Sequence, residues 1–271
     1  MNQRKPLKEL NLLDKFLFDE AMDDPENVKT MLDIILSQNT NLKHPPQTEK
    51  EQRTSTDNRQ IRLDVYAIDE DDVIYEVEAQ KENTHNLLKR SRLYQGIIDS
   101  KLLPPGVVDF NLLNEVLIVL IMPFDLFGYG LYRYTFQMKC EEVPELKLDD
   151  GATRIFLNTK GKHPELVSPE LIELLKYMER STDEVSRECK SKRIQEMHRR
   201  VCQIKASEKT EVKYMQSWEE KILIKQEGER IGLERINRLN QKLIEQGRFD
   251  DLTKATSDNS YQEKLLKEFK I

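Results

Sequence analysis

Cysteine, histidine and long apolar runs are scarce in this sequence of 271 residues. The cysteines are Cys140, Cys189 and Cys202, with no C-x-x-C spacing, a pattern that fits a reducing compartment and argues against a zinc site. The histidines, His44, His85, His163 and His198, form no H-E-x-x-H or comparable group, so all four are expected as surface or partner residues. There is no run of 18 apolar residues and no apolar h-region near Met1. Neither a membrane span nor a secretory signal is therefore expected, and the cytoplasm is the expected location. Positive charge is not in excess either: the net charge is −6, so any basic footprint for a nucleic acid must be local. Glycine and proline are missing from Glu170 to Glu227, which predicts long helices there.

What is present begins with length and charge. A chain of this size is long enough for one sizeable core plus an appendage. Charged residues make up 34% and hydrophobic ones 38%, a balance that predicts a modest core with some extended helix. The stretch from Arg59 to Gln80 organises the rest. Two runs rich in β-branched and aromatic residues, Ile61 to Ile68 and Val73 to Ala79, flank the acidic turn Asp69 to Asp72, the pattern of an antiparallel hairpin. Strand alternation places Glu76, Glu78 and Gln80 on one face. Asp64 sits mid-strand between Leu63 and Val65, where a carboxylate is costly unless it is paired, hydrogen-bonded or bound to a cation. Two such acids, Asp64 and Glu78, on neighbouring strands suggest a divalent metal held by oxygen ligands. The plainer alternative is a pair of outward, solvated carboxylates.

The segment R-L-D-V-Y-A-I-D-E-D-D-V-I-Y-E-V-E-A-Q resembles the core motif of the recombination-promoting nuclease (Rpn) or putative transposase family, a branch of the PD-(D/E)XK nucleases. L-D-K-F-L-F-D-E-A-M-D-D-P-E-N from Leu13 is similar to the family's opening helix. K-R-S-R-L-Y-Q from Lys89, R-Y-T-F from Arg133, C-E-E from Cys140 and D-G-A-T-R-I-F-L-N-T-K-G from Asp150 resemble its later landmarks in the same order. The likeness covers about residues 9 to 180. It implies that Asp64 and Glu78 are the acidic ligands of Mg²⁺, with Mn²⁺ as the alternative ion. It also implies that Gln80 holds the place of the superfamily's lysine. Glu76 falls where relatives usually carry a neutral residue, and no role is carried onto it. An extra acid on the first helix, Asp14 or Glu20, is a further candidate. Lys81, proposed as a displaced lysine, falls opposite Gln80 by strand parity and ranks low.

In chain order, residues 1 to 8 are polar and expected to fray. Leu10 to Gln38 reads as a helical pair, broken near Asp24-Pro25 with Asp24 as cap. Asn39 to Asn58 reads as a loop. A helix is expected from His85 to Leu102, capped by Thr84 or Asn83. Lys89 and Arg92 lie on its exposed side with Arg90 adjacent; they either contact DNA phosphate or form an ordinary solvated face. Glu115 to Phe124 is apolar and β-branched enough for a central strand buried on both faces. Leu131 to Met138 and Arg154 to Asn158 read as further strands. Ile194, Met197, Val201 and Ile204 form a short helical seam. The basic residues around it, Lys190 to Lys205, read first as a solvated surface. Gly228 and Gly232 resemble the degenerate glycine repeats of the family's tails, and close packing against another chain would offset their cost. Ile236 to Ile271 reads as three short helices, with Gly247 ending the first and Ser257 or Asp258 capping the last.

The expected fold is therefore α/β. The resemblance implies a restriction-endonuclease-like mixed central sheet flanked by helices, followed by an all-α C-terminal extension. The expected domains are a nuclease-like unit at 1–165, a helical extension at 166–227 and a small helical unit at 228–271. The expected function is that of a Mg²⁺-dependent DNA endonuclease of low sequence specificity, linked to recombination or mobile elements. In it Asp64, Glu78 and the Ala79 carbonyl hold the ion and Gln80 orients water. The alternative is a non-catalytic protein that keeps the nuclease fold and acts through helix-mediated assembly. The small C-terminal unit is expected to dock on the long helix or to pair with another copy of the chain, giving a homodimer through the C-terminal helices.

Overall fold

The structure is a computed structural model that describes residues 4–52 and 61–271. Arg59 and Gln60, which open the organising stretch, and the final part of the expected 39–58 loop lie outside the described residues, as does the start of the segment expected to fray. The chain forms two compact units, Met1–Thr210 and Glu211–Ile271.

The first unit opens with a buried residue: Leu7, within a short 3-10 turn, is 1% exposed. Helices α1 (Lys15–Met22) and α2 (Pro25–Leu36) follow. The Asp24 side chain caps α2 by accepting from the Glu26 amide at 2.9 Å, and Pro25 fills the first turn, where its missing N–H costs nothing. Part of the expected loop is strand. β1 (Gln47–Gln52) pairs antiparallel with β2 (Ile61–Ile68), which pairs antiparallel with β3 (Ile74–Ala79). Asp69 builds the hairpin turn: its carboxylate accepts from the Asp71 and Val73 amides at 3.0 and 2.9 Å and from the Tyr75 hydroxyl at 2.6 Å.

Helix α3 (Leu87–Asp99) crosses over to β4 (Val116–Met122), which runs parallel to β3. β6 (Ala152–Asn158) is parallel to β4, and β5 (Arg133–Phe136) closes the far edge antiparallel to β6. The six-stranded order is β1-β2-β3-β4-β6-β5, so the protein is α/β with a mixed open sheet. Ile118, Leu120 and Met122 pack with Tyr94, Ile97 and Ile98 of α3, while the alternate residues Val119 and Ile121 are buried too. A strand covered on both faces has no reason to alternate polar and apolar residues, hence the continuous apolar run. Beside the sheet, the ring of Tyr132 lies where a Cβ at position 161 would stand, within 2.3 Å, so only Gly161 fits beneath it.

The expected boundary near residue 165 is not where the first unit ends. Helices α4 (Pro169–Glu179), α5 (Asp183–Glu188) and α6 (Lys192–Ala206) belong to the same unit, and α4 and α6 pack against α1 and α2. The seam Ile194, Met197 and Val201 is fully buried, so its partner is the unit's own opening helices. Hydrogen bonds fasten the two ends of this unit: the Leu12 amide to Ser181 Oγ at 2.9 Å, the Leu13 amide to the Met178 carbonyl at 3.2 Å, and the Ser181 amide to Asn11 Oδ1 at 2.9 Å.

The second unit is helical. α7 (Glu208–Glu245) runs through Gly228 and Gly232 without a break, and α8 (Phe249–Ser257) and α9 (Asn259–Glu268) follow. The first of the three short helices read from the sequence is thus the end of α7. Gly247 turns the chain with φ of 68°, and Asp258 caps α9 by accepting from the Tyr261 amide at 3.0 Å. Leu239 and Leu243 of α7 bury themselves with Ala255, Leu265 and Leu266. Among the described residues no helix is long and apolar enough to cross a membrane.

Candidate functional site

The hairpin register brings the two motif acids together. Val65 pairs with Val77 and Tyr66 with Glu76, so one step further along the ladder Asp64 stands opposite Glu78. Directly opposed residues of an antiparallel pair share a face. Glu76 lies on that face as well, between Tyr66 on β2 and Ile118 on β4. Its neighbours leave it no water: Glu76 is 0% exposed and neither of its carboxylate oxygens has a hydrogen-bond partner. Glu78 Oε2 is also buried without a partner.

Two cations reach this cluster from the helices. Lys15, in the first turn of α1, places Nζ 2.5 Å from Asp64 Oδ1, 3.1 Å from Asp19 Oδ2 and 3.7 Å from Glu49 Oε1. Arg90 of α3 donates from Nη2 to Glu78 Oε1 at 2.5 Å and also to Gln80 Oε1. Burial pushes the pKa of Glu78 up to about 7, with Asp64 adding to the rise and Arg90 opposing it. Asp19 is likewise pushed up to about 7, by burial first and by Asp64 against the pull of Lys15. Burial raises Asp64 against the pull of Lys15. Glu76 is held well above the usual carboxylate range by its burial, then by Glu78 and Asp64. Burial draws the Lys15 ammonium down, but Asp64 and Asp19 outweigh it and the net shift is upward.

The other residues singled out in the sequence take different places. Gln80 is tied at both ends, its oxygen by Arg90 and its Nε2 donating to the Glu82 carbonyl at 2.7 Å. Lys89 and Arg92 are exposed on α3, whereas Arg90 turns inward to the acids. Asp14 holds the Asn11 amide at 2.8 Å and pairs with Lys81 and Lys5, so the α1 acid in the cluster is Asp19, which sequence reading did not select. Lys15 was missed as well, and Glu76, placed on this face by strand parity, was given no role. Helical spacing offered one signal: Lys15 and Asp19 are four apart and therefore on one side of α1. His198 departs from the surface expectation; it is buried at 9% exposure, while His44, His85 and His163 are exposed.

Asp19, Asp64, Glu76 and Glu78 are four carboxylates facing the two cations Lys15 and Arg90. Fully ionised, they leave two negative charges unbalanced, and three of their buried oxygens have no hydrogen-bond partner. Protons or a divalent cation can meet that imbalance. No family model, no curated protein and no solved structure matches the chain.

Proposed function

We propose that this chain is a Mg²⁺-dependent phosphodiesterase that cuts DNA with low sequence specificity, a restriction-endonuclease-like protein of the recombination-promoting nuclease branch. The observation that carries this reading is the acid cluster: carboxylates from β2, β3 and α1 lie near enough to raise one another's pKa, and both oxygens of Glu76 and one of Glu78 are buried without a hydrogen-bond partner. A mixed sheet, with an antiparallel trio joined through a crossover helix to parallel strands, supports this reading.

Asp64 and Glu78 would hold the ion, whose contribution when bound is a lowered pKa of ligated water and an offset to charge on the phosphoryl oxygens. Arg90 fixes the Glu78 carboxylate and the Gln80 amide in one orientation. Lys15 brings to the acids the ammonium that position 80 lacks, from a helix instead of from the strand. Lys89 and Arg92, exposed on α3, are the phosphate contacts. The protein pairs as a homodimer through its C-terminal helices, a role supported by the exposed apolar residues Leu223, Ile224, Ile231 and Leu233 of α7.

Nicking of supercoiled plasmid with Mg²⁺ or Mn²⁺ tests the enzyme reading. Asp64→Ala is expected to lower the rate at least a hundredfold and Lys15→Ala at least tenfold. Equal activity in wild type and Asp64→Ala would mark a contaminant and end the proposal. The second reading, a nuclease-fold assembly protein without activity, draws on one observation: Lys15 and Arg90 already neutralise one oxygen each of Asp64 and Glu78. It requires that calorimetry detect no Mg²⁺ binding dependent on Asp64.

A further inference from the structure

His198 and Cys202 lie four residues apart on α6, one turn on the same side of the helix. Asp183, at the start of α5, meets them there. Asp183 Oδ1 lies 2.8 Å from His198 Nε2 and 3.8 Å from Cys202 Sγ, and Sγ lies 3.4 Å from Nε2. The opposite ring nitrogen is taken: Nδ1 is 3.0 Å from the hydroxyl of Tyr177, a fully buried residue of α4.

This arrangement differs from a nucleophilic triad. A thiol activated by histidine and oriented by an acid needs the thiol and the acid on opposite ring nitrogens. Here Asp183 holds Nε2, which offers a single proton or a single lone pair, and Sγ lies beside the ring, 3.4 Å from Nε2 and 3.9 Å from Nδ1. One hydrogen bond cannot serve both neighbours, whereas a cation among the three donors serves all of them. Tetrahedral zinc, with Zn–N and Zn–O near 2.0–2.1 Å and Zn–S near 2.3 Å, sets its ligand atoms roughly 3.3–3.6 Å apart. The three edges, 2.8, 3.4 and 3.8 Å, each lie within about 0.5 Å of that spacing.

We propose that Asp183, His198 and Cys202 form a binding site for a divalent cation of the zinc class, which clips α5 to α6. Asp183 is the outer ligand, its side chain 79% exposed, so the fourth position faces solvent. Tyr177 is the supporting partner: with the cation on Nε2 the imidazole proton moves to Nδ1 and is donated to the Tyr177 oxygen, fixing the ring. Cys202 binds as thiolate and releases its proton to solvent. A thiolate and an imidazole favour zinc or cobalt over magnesium, so this site does not compete with the all-oxygen cluster at Asp64 and Glu78 and does not rest on the nuclease reading.

Cobalt titration of the full-length, reduced and metal-stripped protein in excess Mg²⁺ is the test. One equivalent of Co²⁺ is expected to give a thiolate-to-cobalt charge-transfer band in the near ultraviolet, displaced by Zn²⁺. Cys202→Ser should abolish the band, while Cys140→Ser and Cys189→Ser keep it. Because Asp183 is exposed, Asp183→Asn should fold normally, as circular dichroism will verify, and weaken Co²⁺ binding at least tenfold. Absence of the band, its survival in Cys202→Ser, or wild-type affinity in Asp183→Asn overturns the proposal. A variant that merely lowers the melting temperature with no metal-dependent band in the parent would mean a hydrogen-bonded tyrosine–histidine–aspartate link only, and also overturns it.

Discussion

At the scale of single residues, the acids set the behaviour. A carboxylate sealed from water with neither oxygen bonded, as Glu76 is, persists as the neutral acid or beside a cation. Asp19 and Glu78 share the tendency, each pushed up to about 7. The unfolded chain loses these protons near pH 4, the folded one near pH 7. Between those values the native state binds more protons, so stability falls as pH rises. Thermal unfolding should show a loss of order 2 kcal/mol from pH 5 to pH 8, with Glu78→Gln flattening the slope and 10 mM Mg²⁺, roughly, restoring stability at pH 8 in wild type but not in Asp64→Ala. Asp64 and Glu78 could be picked out as acids inside β-rich runs, and their role as ligands came only from the resemblance; that they stand opposite each other follows from the hairpin register. Lys15 and Asp19 could not be picked out, since their meeting with Asp64 spans 49 residues for Lys15 and depends on how α1 lies on the sheet.

Among the elements, β4 could be read from its apolar run and the hairpin from its acidic turn. β1 could not: Q-T-E-K-E-Q has no apolar alternation, and it forms an edge strand with Glu49 and Glu51 exposed and Lys50 laid over the Tyr66 ring. Glycine in α7 teaches the opposite lesson. Gly228 and Gly232 were read as sites of close approach, yet a Cβ at either meets nothing within 4 Å in this chain. Gly228→Ala and Gly232→Ala should therefore each stabilise the helix by about 1 kcal/mol, seen as a higher melting midpoint in circular dichroism. A fall in that midpoint together with a lower mass in light scattering would place another copy of the chain against them.

For the whole molecule, the division falls at Thr210 instead of residue 165, because α4 and α6 complete the cover of α1 and α2. Composition placed the boundary at Pro164 and Pro169, but prolines that open helices as first-turn residues mark a helix start and not a domain end. A chain ended after Thr210 should unfold cooperatively and sediment as a monomer, whereas the full chain should sediment as a dimer; identical masses would remove the C-terminal helices from the assembly. The link between Leu12 and Ser181 also fixes when the protein can be born. During synthesis the opening helices leave the ribosome long before residues 178–181 exist, so their apolar sides must wait, sheltered by chaperones or by one another, until the last strand and α4 have been translated.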